Sequence, residues 1–182
     1  MQKAMDSQAA LAKLMEGNAR YLHAEHNIGE ISAKLRLHTA EHGQNPFAVI
    51  ITCSDSRVIP EAIFQCGIGD LFVIRVAGNV MDDHQLGSVE YAVDHLGTRL
   101  VVVLGHTRCG AVAAALHGEG GGYIQSLTDE ILAAIGAETD PDRACCRNVQ
   151  HSVRRIETAL HLEGAAVLGA VYDVSTGAVR LL

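Results

Sequence analysis

Hydrophobic and polar positions along the 182-residue chain follow two different periods. Near the N-terminus Leu11, Leu14, Met15 and Leu22, with Asn18 in the same stripe, recur at helical spacing and predict an amphipathic helix over about residues 6–24. The stretch 25–45 is polar and mixed, shows no clear period, and is expected to wrap over the body. Three short apolar runs follow: Phe47 to Thr52 (FAVIIT), Leu71 to Arg75 (LFVIR) and Leu100 to Leu104 (LVVVL). Runs that are apolar on both faces predict strands of a mostly parallel sheet covered by helices.

Helical stretches fill the gaps. Pro60 suits a first helical turn, so Pro60 to Phe64 predicts a short helix ended by Gly67 and Gly69. Asp82 to Leu96 predicts a longer one, with Asp82 or Asp83 near its start and Gly97 after its end. Another begins near Cys109 and ends at Gly118, the glycine cluster 118–122 forms a turn, and helices over about 124–135 and 142–161 come next. Val167 to Tyr172, a Ser-Thr-Gly turn and Ala178 to Leu182 predict a final hairpin-like pair. The expected fold class is therefore α/β: a mostly parallel β-sheet flanked by helices, with an N-terminal helical arm. No internal repeat or composition break divides the chain, so residues 1–182 read as a single domain, with 1–45 as the arm and 46–182 as the α/β core.

Composition narrows the partners. Apolar residues make up 48% of the chain, but there is no Trp and only three Phe and four Tyr, so Val, Ile, Leu and Ala must build the core. A net charge of −7 argues against nucleic acid, whose phosphates require a basic face. No apolar run approaches the roughly 20 residues that span a bilayer, so no membrane is expected. The start, MQKAMDSQAA, lacks the apolar stretch of a secretory signal, and a cytoplasmic location is the expectation. Five Cys cannot all pair within one chain, and in that compartment metal binding or catalysis is favoured over a disulfide framework.

The candidate chemistry lies in two clusters. Cys53-Ser54-Asp55-Ser56-Arg57 directly follows the strand ending at Thr52, and His106-Thr107-Arg108-Cys109-Gly110 follows the one ending near Leu104. Open α/β sheets place their ligands at such C-terminal strand ends. Two thiols and an imidazole from neighbouring strand ends can supply three corners of a tetrahedron, a donor set that zinc favours. Cys109 also stands at a helix N-terminus, where the macrodipole favours a thiolate. A phosphatase-type nucleophile needs a longer spacing than the three residues between Cys53 and Arg57, and no Cys-x-x-Cys is present. Small buried core cysteines remain the alternative on these residues alone.

Cys-x-Asp-Ser-Arg followed about fifty residues later by His-x-x-Cys resembles the β-class carbonic anhydrases. The likeness runs through GQNPFAVIITCSDSR (43–57), GDLFVIRVAGN (69–79), GSVEYAVDHLG (87–97), LGHTRCGAV (104–112) and GAVYDVSTG (169–177). It implies Zn2+ bound by Cys53, His106 and Cys109, with Asp55 either closing the fourth position or swinging away to pair with Arg57. Asp55 and Arg57 are thereby the implied catalytic pair, since only the open position admits water, whose pKa zinc lowers to about 7. The implied reaction is reversible hydration of carbon dioxide to bicarbonate and a proton, by attack of zinc-bound hydroxide. Gln44, nine residues before Cys53, matches the family glutamine that hydrogen-bonds substrate. Phe72, Ala77, Tyr91 and Gly110 match positions that line the substrate cleft, Tyr91 reaching in from a partner subunit. A homodimer or homotetramer is implied, with a small-molecule substrate.

The chain also departs from the pattern. Val76 stands where many relatives have Asn, so hydrogen bonding beside the cleft is expected to differ. Some relatives carry an inhibitory bicarbonate site built on Trp, Arg and Tyr; Arg75 and Tyr172 match, but the Trp position is Ile50. The segment of about 157–166 is short, so a helix is expected to run almost directly into the last strand. Cys66, Cys145 and Cys146 fall outside the motifs; of the adjacent pair, one is expected to be buried and one near the surface. His84, His95 and His117 are all eligible for the proton transfer the reaction requires. The rival readings are hydrolysis of carbonyl sulfide or carbon disulfide on the same scaffold, and a non-catalytic zinc protein whose site stays closed.

Overall fold

The computed structural model describes residues 4–182; Met1 to Lys3, the first residues of the N-terminal stretch read above, lie outside it. Among the described residues a five-stranded sheet has the order β2-β1-β3-β4-β5. Strands β1 (Ala48–Thr52), β2 (Leu71–Arg75), β3 (Leu100–His106) and β4 (Ala166–Tyr172) run parallel, and β5 (Val179–Leu181) closes one edge antiparallel to β4. Every residue of β1 and β3 is buried, which explains why both runs are apolar without alternation.

The two faces of the sheet are covered separately. Ala48, Ile50, Leu100, Val102 and Leu104 face Ala10 and Leu14 of α1 (Ser7–Tyr21), together with Ile63 of α3 (Pro60–Ile63) and Phe64. Val49, Ile51, Val101 and Val103 face Leu86, Val89 and Val93 of α4 (Asp83–Asp94) and Val149 and Ile156 of α7 (Pro141–Ala159). Each such fully buried aliphatic side chain contributes about 1.5–3 kcal/mol, so this double facing carries most of the fold's driving force. Gly105 is needed where α7 crosses β3, because a Cβ there would collide with Val149 Cγ2.

Local signals set the helix ends. Asp82 accepts from the His84 and Gln85 amides while Gln85 Oε1 accepts from the Asp82 amide, a capping box that starts α4. The helix stops at Asp94, slightly before the expected Leu96. Helix α5 (Gly110–His117) starts directly after Cys109 and ends on Gly118. It is followed by α6 (Ile124–Ile135), and α7 opens with Pro141 behind an Asp140 cap. Only residues 160–165 link α7 to β4, the short connection that was expected.

The two parts of the helical arm behave differently. Helix α1 is docked: buried Asn18 donates to Gly177 O at 2.9 Å and to Ile63 O at 3.3 Å, and accepts from Val179 N at 2.9 Å. That explains a polar residue in an apolar stripe. Residues 33–42, read from sequence as lacking a period, form helix α2 (Ala33–His42), capped by Ser32. None of its residues is buried, so there was no apolar stripe to detect. Among the described residues no helix is long and apolar enough to cross a membrane.

Candidate metal centre

Strand order creates the site. The chain leaves β1 for β2 on one side and returns to β3 on the other, so the carboxyl ends of β1 and β3 flank a topological switch point, where open α/β sheets bind ligands. Thr52 pairs with Leu104, and Thr52 Oγ1 donates to Leu104 O at 2.7 Å, which locks the two strand ends together. Cys53 leaves β1 at this point, His106 ends β3, and Cys109 caps α5.

These three side chains converge. One donor atom from each of Cys53, His106 and Cys109 lies within 4.8 Å of the other two, and all three residues are buried. His106 Nδ1 donates to Thr107 O at 2.9 Å, which leaves Nε2 with its lone pair; that atom is buried and has no partner. A buried acceptor left unmatched is costly, and a metal ion resolves it. The two sulfurs are 4.0 Å apart. Hydrogen bonding from Cys109, with that from the Gly78 amide, outweighs burial and draws the Cys53 thiol down to about 4. The same pairing, with burial, pushes Cys109 up. Two softly basic sulfurs and a free imidazole nitrogen fit zinc.

The walls are apolar. Val80, Val112, Ala115, Ile131, Ile135, Ala144 and Cys145 pack around the two sulfurs, from α5, α6, α7 and the residue after the Ala77–Asn79 turn. Such surroundings exclude water and strengthen charge interactions within them. Gly78 N–H donates to Cys53 Sγ at 3.2 Å, a contact the motifs did not announce. Gly78 has φ 70°, and a Cβ there would stand 2.7 Å from Ile131 Cδ1.

Asp55 lies beside this group but outside it. Arg57 Nε donates to Asp55 Oδ1 at 2.9 Å and Nη2 to Oδ2 at 2.7 Å, and the Arg57 amide adds a third bond to Oδ1 at 2.9 Å. This pairing holds the Asp55 carboxyl well below the usual carboxylate range. Its Oδ2 is nonetheless only 3.9 Å from His106 Nε2. Arg75 donates to Cys53 O at 3.2 Å and Asp55 O at 2.8 Å, so it braces the loop. Tyr172 instead meets Tyr21, hydroxyl to hydroxyl at 3.2 Å, and Ile50 is fully buried in the core. At Val76 the hydrogen bonds are main-chain ones, to Thr52, Ser54 and Asn79.

The remaining expected residues divide into two groups. Ala77 adjoins Gly78, and Gly110 follows Cys109, so both border the metal-binding cluster. Phe72 and Tyr91 lie with ring centroids 6.2 Å apart, and Tyr91 is 5.2 Å from His95. Gln44 lines a surface cavity with His38, His42, Asn45 and His95. It precedes β1 whereas Cys53 follows it, so the whole five-residue strand, roughly 17 Å long, lies between them. Cys66 is buried and its thiol is pushed up to about 12 by burial; Cys145 is buried and Cys146 half-buried, as expected of that pair.

Comparison with known proteins agrees with this geometry. The pattern of the family described as "Carbonic anhydrase" matches residues 48–179. Carbonic anhydrase 2 of Mycobacterium tuberculosis is 45% identical over 132 residues, 70% of this chain, which spans 63% of that relative's length. The carbonic anhydrase of Mycolicibacterium smegmatis is 36% identical over 192 residues, covering 95% of this chain and 92% of the relative. Among solved structures, a tetrameric β-carbonic anhydrase from Sordaria macrospora superposes with a TM-score of 0.66 at 28% identity, covering 82% of this chain and 90% of that one. A family pattern spanning both clusters, relatives of that name and the shared fold place this chain in the carbonic anhydrase family, in its β class.

Proposed function

We propose that the chain is a zinc-dependent carbonic anhydrase that interconverts carbon dioxide and bicarbonate. The observation that carries the reading is His106: its Nδ1 is committed to Thr107 O, and its buried, unpartnered Nε2 faces the sulfurs of Cys53 and Cys109. In this reading those three residues hold zinc, which when bound supplies a Lewis acid strong enough to ionise water near neutral pH. Arg57 keeps the Asp55 carboxylate turned aside, which leaves one direction open to water and substrate. The pair is itself anchored, because Arg57 Nη2 also donates to Arg108 O at 3.1 Å. This arrangement favours an open site over a permanently closed one. The apolar walls suit a small linear substrate that carries no charge.

The reading requires a second copy of the chain. Gln44, Phe72 and Tyr91 are grouped on the β2–α4 side, and Gln44 is at the far end of β1 from its own Cys53. Tyr91 is 47% exposed, Leu37 of α2 is 62% exposed, and β2 is an open sheet edge. Pairing across this surface would cover the arm and bring one copy's Gln44, Phe72 and Tyr91 to the other's zinc. The tetrameric assembly of the Sordaria macrospora proteins is in keeping with it.

The test is direct. Purified chain should carry zinc and hydrate carbon dioxide faster than it releases sulfide from carbonyl sulfide. Cys109→Ala should lose zinc and hydration together. Full activity in Cys109→Ala would sink the ligand assignment, and faster sulfide release would reassign the substrate.

A further inference from the structure

Helix α7 carries two buried polar residues in its apolar stripe, Asn148 and Ser152, 1% and 2% exposed among Ala144, Cys145, Val149 and Ile156. Both reach one short turn: Asn148 Nδ2 donates to Gly78 O at 2.6 Å, and Ser152 Oγ shares its one proton between Asn79 O and the helix carbonyl Asn148 O, each at 3.1 Å. The next group along is a metal ligand: Gly78 N–H donates to Cys53 Sγ at 3.2 Å.

We propose that Asn148 and Ser152 are positioning residues for the metal centre, holding the 77–79 turn so that the Gly78 N–H remains on the Cys53 sulfur. The inference rests on the zinc reading above and adds to it a pair of residues about seventy positions away in sequence.

The turn needs holding. Gly78 and Asn79 are consecutive residues with φ of 70° and 46°, and Asn79 is not a glycine, so the left-handed conformation there is strained. A main-chain bond from Asn79 N to Val76 O at 3.0 Å closes the turn. The two donors from α7 fix its carbonyls on one side, which leaves the Gly78 amide aimed at sulfur on the other. An N–H bond to a thiolate withdraws electron density from it, so such outer partners tune both the strength and the place of the ligand. Packing alone would be served by apolar residues at 148 and 152. In their absence the Gly78 and Asn79 carbonyls would be buried without those donors.

The experiment uses the full chain loaded with cobalt(II) in place of zinc, and reads the thiolate-to-cobalt charge-transfer band. Asn148→Ala and Ser152→Ala should move the band to lower energy, because a sulfur without its N–H donor gives up charge more readily. Zinc affinity, measured by chelator competition, should fall by about 10- to 100-fold. Val149→Ala is the control: it removes packing from the same helix without touching the turn's hydrogen bonds, and should leave band and affinity in place. Should Asn148→Ala fail to fold, Ser152→Ala decides alone. A band and affinity unchanged in the folded variants, or moved equally by Val149→Ala, would overturn the proposal. A wild-type chain that gives no thiolate–cobalt band brings down the zinc reading itself, whereas a wild-type band that the variants do not move brings down this inference alone.

Discussion

Asp55 and Arg57 are joined by two side-chain hydrogen bonds of 2.9 and 2.7 Å, while the same carboxylate stands 3.9 Å from His106 Nε2. A carboxylate so near the cluster and yet outside it is restrained chiefly by the guanidinium. Arg57→Ala should therefore free Asp55 to turn toward the donor set. Zinc content should persist while carbon dioxide hydration falls by about 10- to 100-fold, as for other partners of metal-site carboxylates. Stopped-flow hydration measured alongside metal analysis checks this; unchanged turnover would remove Arg57 from the mechanism.

Gly105 sits directly beneath Val149, and the space there excludes even a methyl group. Gly105→Ala should destabilise the fold by about 1–3 kcal/mol through overpacking. Adding Val149→Ala should recover part of the loss, since the two residues share one contact. Denaturant unfolding of the single and double variants gives the coupling, and strictly additive effects would contradict the contact.

Glu138 ties the loop before α7 to the helix. Its carboxylate pairs with Arg143 and accepts from the Asp140 and Thr139 amides, which lower its pKa from the ordinary 4.5 to about 2. A depressed carboxylate stabilises the folded state above its unfolded value, and the contribution is lost as pH falls through the folded one. Thermal unfolding should thus show a constant wild-type advantage over Glu138→Gln at neutral pH, shrinking between about pH 4.5 and 2. An advantage that stayed level across that window would mean that Glu138 acts by packing only.

Leu37 projects from a helix that buries none of its own residues. Leu37→Glu should weaken self-association, seen as a smaller particle in sedimentation, with helix content unchanged. On the proposed two-copy site hydration should decline with it, because the second copy's Gln44, Phe72 and Tyr91 would be withdrawn. Unaltered association would place α2 outside the interface.

Much of the framework was legible in the order of residues. Strands β1 and β3 announced themselves because burial on both faces leaves only apolar positions, and the two cysteine clusters could be placed at strand ends because each directly follows such a run. The capped helix at Asp82 was equally plain. Helix α2 was missed, since periodicity reports burial and this helix has none. Asn148 and Ser152 did carry a signal, as polar residues one turn apart in an otherwise apolar stripe, but nothing in a helix names the carbonyl it will meet.

What the sequence determined by itself was local: which segments are strands, where they stop, and which metal-binding residue types stand at those ends. Tertiary structure decided the rest. The order of strands put Cys53 beside His106, and pairing with Arg57 held Asp55 outside the cluster. The crossing of α7 set two donors behind the turn that serves Cys53. The direction of β1 carried Gln44 to the far end of the sheet. Side-chain chemistry is written in the chain, but distance between residues far apart in sequence arises only when the sheet assembles and the helices pack upon it.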